Sequence, residues 1–262
     1  MSIVFSAIVP HSPFLIPSIG RENLELLKST ELAFKKLEEN LRLSDVETIV
    51  IISPHGVVQS NSFSMNLSPE FTVNFEEFGN LTTKMLLSGD IGLAHKIRER
   101  METRAPLQMI SDSNLDYGSG VPLYLLLKDT PNIKIIPLYY SGLDLDAHFK
   151  FGQLLQREFM VNKERIGVIA SGDLSHKLTK NAPAGYSAKA KKFDKMLIEN
   201  LIKQKTENIL KMKSDFIAEI SECGLKSILI LLGVLDGMKY RSEMLSYEAP
   251  FGVGYLTMNF KL

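Results

Sequence analysis

The sequence predicts a single α/β domain, with a central mixed sheet covered by helices on both faces. Two observations carry this. Short β-branched runs alternate along the chain with segments of helical period. The 262 residues also contain no Pro/Gly/Ser-rich linker, low-complexity tract or internal repeat, so one domain over 1–262 is the economical division.

Residues 3–9 read as a short buried strand ended by Pro10. Over 21–43, Leu24, Leu27, Phe34, Leu37 and Leu41 recur at helical spacings between charged residues, which predicts a helix. The run VETIVIIS at 46–53 is a strand buried on both faces. Alternation of Phe63, Met65 and Leu67, then of Phe71, Val73 and Phe75, predicts two half-exposed strands forming a hairpin. Asp90 can cap a helix that turns Ile91, Ala94, Ile97 and Met101 inward. A strand at 107–110, a helix from about Val121, a strand at 133–139, a helix from about Asp144 and a core strand at 165–170 follow. Two helices within 188–212, a more apolar helix at 225–235, and strands at 244–247 and 254–260 complete the chain.

Lys plus Arg equal Asp plus Glu at 30 each, so the formal net charge is +0 and neither nucleic acid nor an anionic membrane is favoured as a partner. No apolar stretch approaches the ~20 residues of a membrane span, and no basic run precedes the apolar N-terminal residues, so a leader is not expected. Cys223 is the only cysteine, which excludes an intrachain disulfide and suits a reducing compartment; the expected location is cytoplasmic. A homodimer would be the commonest assembly for such a protein.

Three of the five histidines share a setting. His11 follows the first strand in VPHSP, His55 the second in SPHG, and His176 the strand at 165–170 in SGDLSH. Ligands of open α/β sheets bind beyond the carboxyl ends of the strands, so these three can converge on a metal despite their separation in sequence. Each alone is equally well a loop histidine in a proline- or glycine-bounded turn. His95 and His148 fall within helices and read as surface residues. The third ligand is open between two neighbours. Glu222 would complete a two-His-one-carboxylate set suited to iron(II), while Cys223 would favour zinc or copper(I). Glu222 is otherwise a carboxylate at a helix start, and Cys223 otherwise a buried thiol. Asp173 orients His176 or caps the next segment, and Asp116-Tyr117-Gly118 is a polar turn ahead of a helix.

Taken in order, VPHSPFLIP, ISPHG, LDYGSGVPL, SGDLSH, SECGLKS and SYEAPFGVGY resemble the catalytic-subunit family of class III extradiol dioxygenases, and most closely its AMMECR1-associated, Memo-related branch. The resemblance implies iron(II) held by His11, His55 and a carboxylate near Glu222, with zinc the alternative ion. It assigns acid–base work to His176, aided by Asp173 and Tyr117. It also implies a small aromatic substrate with O2, and partners of the AMMECR1 or radical-SAM type. Memo-like relatives carry a cysteine where Cys223 falls. Where ring-cleaving members carry Asp-His-Gly, this chain has tyrosine at Tyr117, which donates a hydrogen bond but does not shuttle protons near neutral pH. A catechol-type dioxygenase therefore ranks first, a Memo-like metal- or partner-binding module second, and a zinc hydrolase third.

Overall fold

The computed structural model describes residues 2–130 and 132–262. Its frame is an eight-stranded mixed sheet. β1 (Ile3–Val9), β2 (Thr48–Ser53), β3 (Phe63–Asn66), the separate hairpin β4 (Glu70–Phe75) and β5 (Asn80–Ser88), and β6 (Leu107–Ile110) come first. β7 (Lys134–Tyr139), β8 (Ile166–Ser171), β9 (Arg241–Glu248) and β10 (Tyr255–Lys261) follow. The sheet order is β6-β3-β7-β2-β8-β1-β10-β9. Its centre, β7-β2-β8-β1, is wholly parallel, whereas β10 and β9 return antiparallel beside β1.

Burial on both faces explains the apolar strands. Val50 and Ile52 of β2 enter one core and Ile49 and Ile51 the other. The first core is roofed by α3 (Ile91–Met101), α5 (Leu145–Met160), α6 (Ala190–Ile202), the short α7 (Thr206–Leu210) and α8 (Ser214–Ile220), and α9 (Leu225–Val234). The second is covered by α2 (Lys28–Leu43), α4 (Tyr117–Leu127) and the β4–β5 hairpin, with the single turn α1 (Pro17–Gly20) nearby. None of the helices described is long and apolar enough to cross a membrane.

Several expectations are corrected. The helical pattern at 21–43 divides into a 3₁₀ segment, Arg21–Leu27, and α2, because Leu27, at φ −110° and ψ 23°, departs from helical geometry between them. β3 is fully buried within the main sheet, paired with β6 and β7, and the hairpin partner of β4 is β5 instead. In α3 it is Leu93 that turns inward, while Ile91, on the first turn, stays 36% exposed. α4 begins at Tyr117 rather than near Val121, since Asp116 accepts the Ser119 N–H at 3.0 Å and the Ser119 hydroxyl at 2.8 Å. α8 had no counterpart in the sequence reading. His148 is fully buried, not superficial. Its Nδ1 lies 2.6 Å from the Asp144 carbonyl and its Nε2 accepts the Ser141 N–H at 3.2 Å, so the ring stitches the loop between β7 and α5.

The pair α5 and α9 packs through glycine. A Cβ on Gly152 would lie 2.0 Å from the Ile230 carbonyl oxygen, and one on Gly233 would lie 2.1 Å from that of Phe149. Gly152→Ala should therefore cost about 1–3 kcal/mol, the usual penalty for overpacking a close contact. Urea titration measures it, and an unchanged midpoint would mean the helices can part freely.

Candidate metal centre

Parallel pairing fixes where the site lies. Val9 of β1 is level with Ser171 of β8, and Ile52 of β2 with Ala170, so these strands end together on one edge of the sheet. β1 and β2 stand on either side of β8, about 9–10 Å apart at ordinary strand spacing. His11 and His55, each two residues beyond its strand, reach inward over the end of β8 and close that gap. Their Nε2 atoms stand 3.0 Å apart, with ring centroids at 4.7 Å and planes at 84°.

Hydrogen bonding fixes the tautomer of His11. The Ser171 hydroxyl donates to the Gly118 carbonyl, so at 3.0 Å it accepts from His11 Nδ1–H. Nε2 of His11 is then a bare lone pair directed at His55. Tyr117 stacks on His55 at 4.3 Å and 21°, with its hydroxyl 3.0 Å from His55 Nε2. Burial, reinforced by the neighbouring imidazoles, lowers His11 to about 3 and His55 to about 4. Both rings are thus neutral at physiological pH, the form that ligates metals. The 3.7 Å approach of Asp173 Oδ2 to His11 Nε2 is for that reason not an ion pair.

Two glycine contacts bring further groups in. A Cβ on Gly118 would fall 2.5 Å from Ser53 Oγ and 3.1 Å from His55 Cδ2, so only glycine lets the start of α4 settle against the His55 loop. A Cβ on Gly172 would fall 2.1 Å from the Cα of Gly224, where the N–H groups of Cys223 and Gly224 meet the Asp173 carbonyl at 3.3 and 3.0 Å. Cys223 Sγ consequently lies 3.6 Å from His11 Nε2 and accepts the Asp173 N–H at 3.3 Å.

The structure thus gathers His11, His55, Tyr117, Asp173, His176 and Cys223. Candidate ligand atoms of His11, His55 and Cys223 lie within 4.8 Å of one another, and so do those of Asp173, His176 and Cys223. Glu222 is the site residue that the structure does not bring in. Its carboxylate accepts the Leu225 N–H at 2.6 Å at the start of α9, the helix-start role, and it joins neither ligand group. Cys223, one residue on, faces the histidines instead. Burial pushes the Glu222 carboxyl up to about 7, that of Asp173 up to about 6, and the Cys223 thiol well above its ordinary range. Desolvation likewise raises the Tyr117 hydroxyl, which is therefore a donor and not a base.

Two nitrogens, each about 2.1 Å from one ion, would stand about 3.0 Å apart at the right angle of an octahedral ligand set. The His11–His55 separation matches that figure, and thiolate completes a common ligand set, so the residues present fit a divalent ion. His176 Nδ1 is buried without a hydrogen-bond partner among the described residues.

Sequence reading missed the supports. Ser171 sets the His11 tautomer, and its signal was a lone hydroxyl closing an apolar strand. Asp194, 1% exposed, accepts the Ser175 N–H at 3.0 Å and the Tyr247 hydroxyl at 2.7 Å, bracing the loop that carries His176. It looks in sequence like any other helical aspartate.

A model of the family described as catalytic LigB subunit of aromatic ring-opening dioxygenase matches residues 6–258. The chain is 32% identical over 268 residues to Protein CA_C1420 of Clostridium acetobutylicum, with 98% of the chain aligned, and it spans 57% of that relative's length. Its fold is similar to that of the uncharacterized protein JW3007 from Escherichia coli K12, with TM-score 0.67 at 18% identity over 98% of this chain and 99% of the other.

Burial raises the Asp194 carboxyl from 3.8 to about 6. The folded chain then holds this proton more tightly than the unfolded one. The associated stability is complete below pH 3.8 and is lost as pH rises through about 6. A shift of two units is worth about 3 kcal/mol. Asp194→Asn, which does not titrate, should therefore gain on the native protein by about that amount between pH 4 and pH 7 in urea titrations. A constant difference across this range would remove the assignment.

Proposed function

The chain belongs to the family of catalytic LigB subunits of aromatic ring-opening dioxygenases, and from that premise we propose that it is a metal-dependent enzyme of dioxygenase type acting on a small vicinally hydroxylated aromatic. The observation that carries this reading is the 3.0 Å approach of the Nε2 atoms of two neutral imidazoles at the carboxyl edge of the parallel strands. His11, His55 and Cys223 would hold the ion. Iron(II) is favoured by the family, and zinc is the alternative that the thiolate favours. A bound divalent ion would supply Lewis acidity toward substrate hydroxyls, and iron(II) would in addition let electrons pass from the substrate, which is the reductant, to O2.

The protein's own groups divide the remaining work. Ser171 and the Gly118 carbonyl keep the His11 ring in one tautomer. Tyr117, a hydroxyl donor stacked on His55, can turn that hydrogen bond toward a substrate oxygen. His176 has a nitrogen, Nδ1, without a hydrogen-bond partner among the described residues and can take a proton from a substrate hydroxyl, returning it after the ring opens. Asp173 holds the His11 backbone through the His11 N–H at 3.1 Å. Within the family we place the chain nearest the AMMECR1-associated, Memo-related branch, because Cys223 stands where that branch carries cysteine.

Cys223 and Tyr117 together also favour a second reading, a Memo-like protein whose centre binds metal or a partner without ring cleavage. The experiment is anaerobic metal loading, followed by oxygen uptake with a panel of catechols. Iron-loaded protein should consume O2 with at least one of them, and His55→Ala should lose both ion and uptake. His176→Ala should keep the ion while slowing uptake at least about 100-fold. If His176→Ala lost the ion as fully as His55→Ala, the acid–base role would be wrong. Retention of zinc alone, with no uptake, would favour the second reading.

A further inference from the structure

We propose that a groove between α6, β9 and the loop following His176 is a binding site for an amphiphilic anion, an apolar chain or ring bearing a carboxylate. The groove encloses about 580 Å³, within the range of small-molecule sites. Its floor is apolar, made by Leu178, Ile198 and Met244. Met244 is 45% exposed, an unbranched thioether presented on β9 at the open edge of the main sheet. Such a side chain adapts readily to a ligand's shape.

The charged residues of the rim are two lysines and one glutamate. Lys191 and Lys195 border the floor. Among the described residues Lys191 has no carboxylate partner, and Lys195 reaches only Glu199 at 3.9 Å. Glu199 also borders the groove, but Lys203 engages it at 3.5 Å. Lys191 and Lys195 thus stand beside exposed hydrocarbon, with the Glu199 charge shared with Lys203. That pairing complements a ligand with an apolar body and an anionic head, as neither a neutral oil nor a free inorganic anion would be.

The site stands apart from His11, His55 and Cys223 and does not rest on the metal reading. It nevertheless touches the same scaffold. Tyr247 lines the groove and donates to Asp194, which accepts the Ser175 N–H next to His176. An occupant therefore rests against the strut of the His176 loop.

Titration calorimetry of the intact chain with octanoate and with 3-phenylpropanoate, against octanol and octylamine, tests the proposal. One or both acids should bind saturably at one site, at least tenfold more tightly than octanol or octylamine. Lys191→Glu combined with Lys195→Glu should weaken that binding at least tenfold, and so should Met244→Glu, with circular dichroism confirming that each variant is folded. His55→Ala should bind the acids as the native protein does, which separates this site from the metal centre. Equal binding of octanol and octanoate, or native affinity in the double lysine variant, would overturn the proposal. A dimer in sedimentation analysis that Met244→Glu dissolves would place a second copy of the chain in the groove, and would overturn it too.

Discussion

Two imidazole nitrogens 3.0 Å apart, one on a buried ring and one on a half-buried ring, set the terms for the whole site. In the ion-free protein one hydrogen can bridge the pair, with His55 Nε2–H donating to the His11 lone pair. A further proton that would charge the pair is disfavoured, because burial holds His11 near 3 and His55 near 4. A divalent ion would take the place of the bridging hydrogen once His55 carries its proton on Nδ1, with both Nε2 lone pairs then facing one positive charge. The nearby Asp173 carboxyl and Cys223 thiol, both raised by desolvation, are groups that a cation would stabilise in their charged forms.

The scaffold makes that approach possible through backbone proximity more than through side-chain length. Gly118 lets α4 sit against the His55 loop, and the Gly172–Gly224 contact draws Cys223 onto the end of β8. At both places a methyl group would occupy space already filled. The hydroxyl of Ser171 then fixes which His11 nitrogen faces the centre. A network of this kind has little slack, so small displacements of α4 or α9 alter the centre directly.

Much of the architecture was legible because burial on two faces leaves a plain mark. The β-branched runs of β1, β2 and β8 could be read directly, and with them the expectation that His11, His55 and His176 lie on one edge. The hairpin was misread because β3 alternates polar and apolar residues like a half-exposed strand, yet its Ser64 and Asn66 are buried within the sheet. β5 carries no clear alternation in sequence, since Leu81 and Leu86 are exposed while Leu87 is buried. Glu222 and Cys223 are adjacent in sequence, and residue type left the third ligand open between them. Their different settings show only at the start of α9, where one Glu222 oxygen accepts the Leu225 N–H while Cys223 Sγ lies 3.6 Å from His11 Nε2. Likewise His148 and Asp194 sit in helices among charged residues, and only the tertiary packing shows that both are buried.

X-ray absorption at the metal edge of the loaded protein tests the central claim most directly, since it counts the atoms around the ion. His11, His55 and Cys223 as ligands require two imidazole nitrogens at about 2.0–2.1 Å and one sulfur at about 2.3 Å. A shell of oxygen atoms alone, or one unchanged by His11→Ala and His55→Ala, would contradict it.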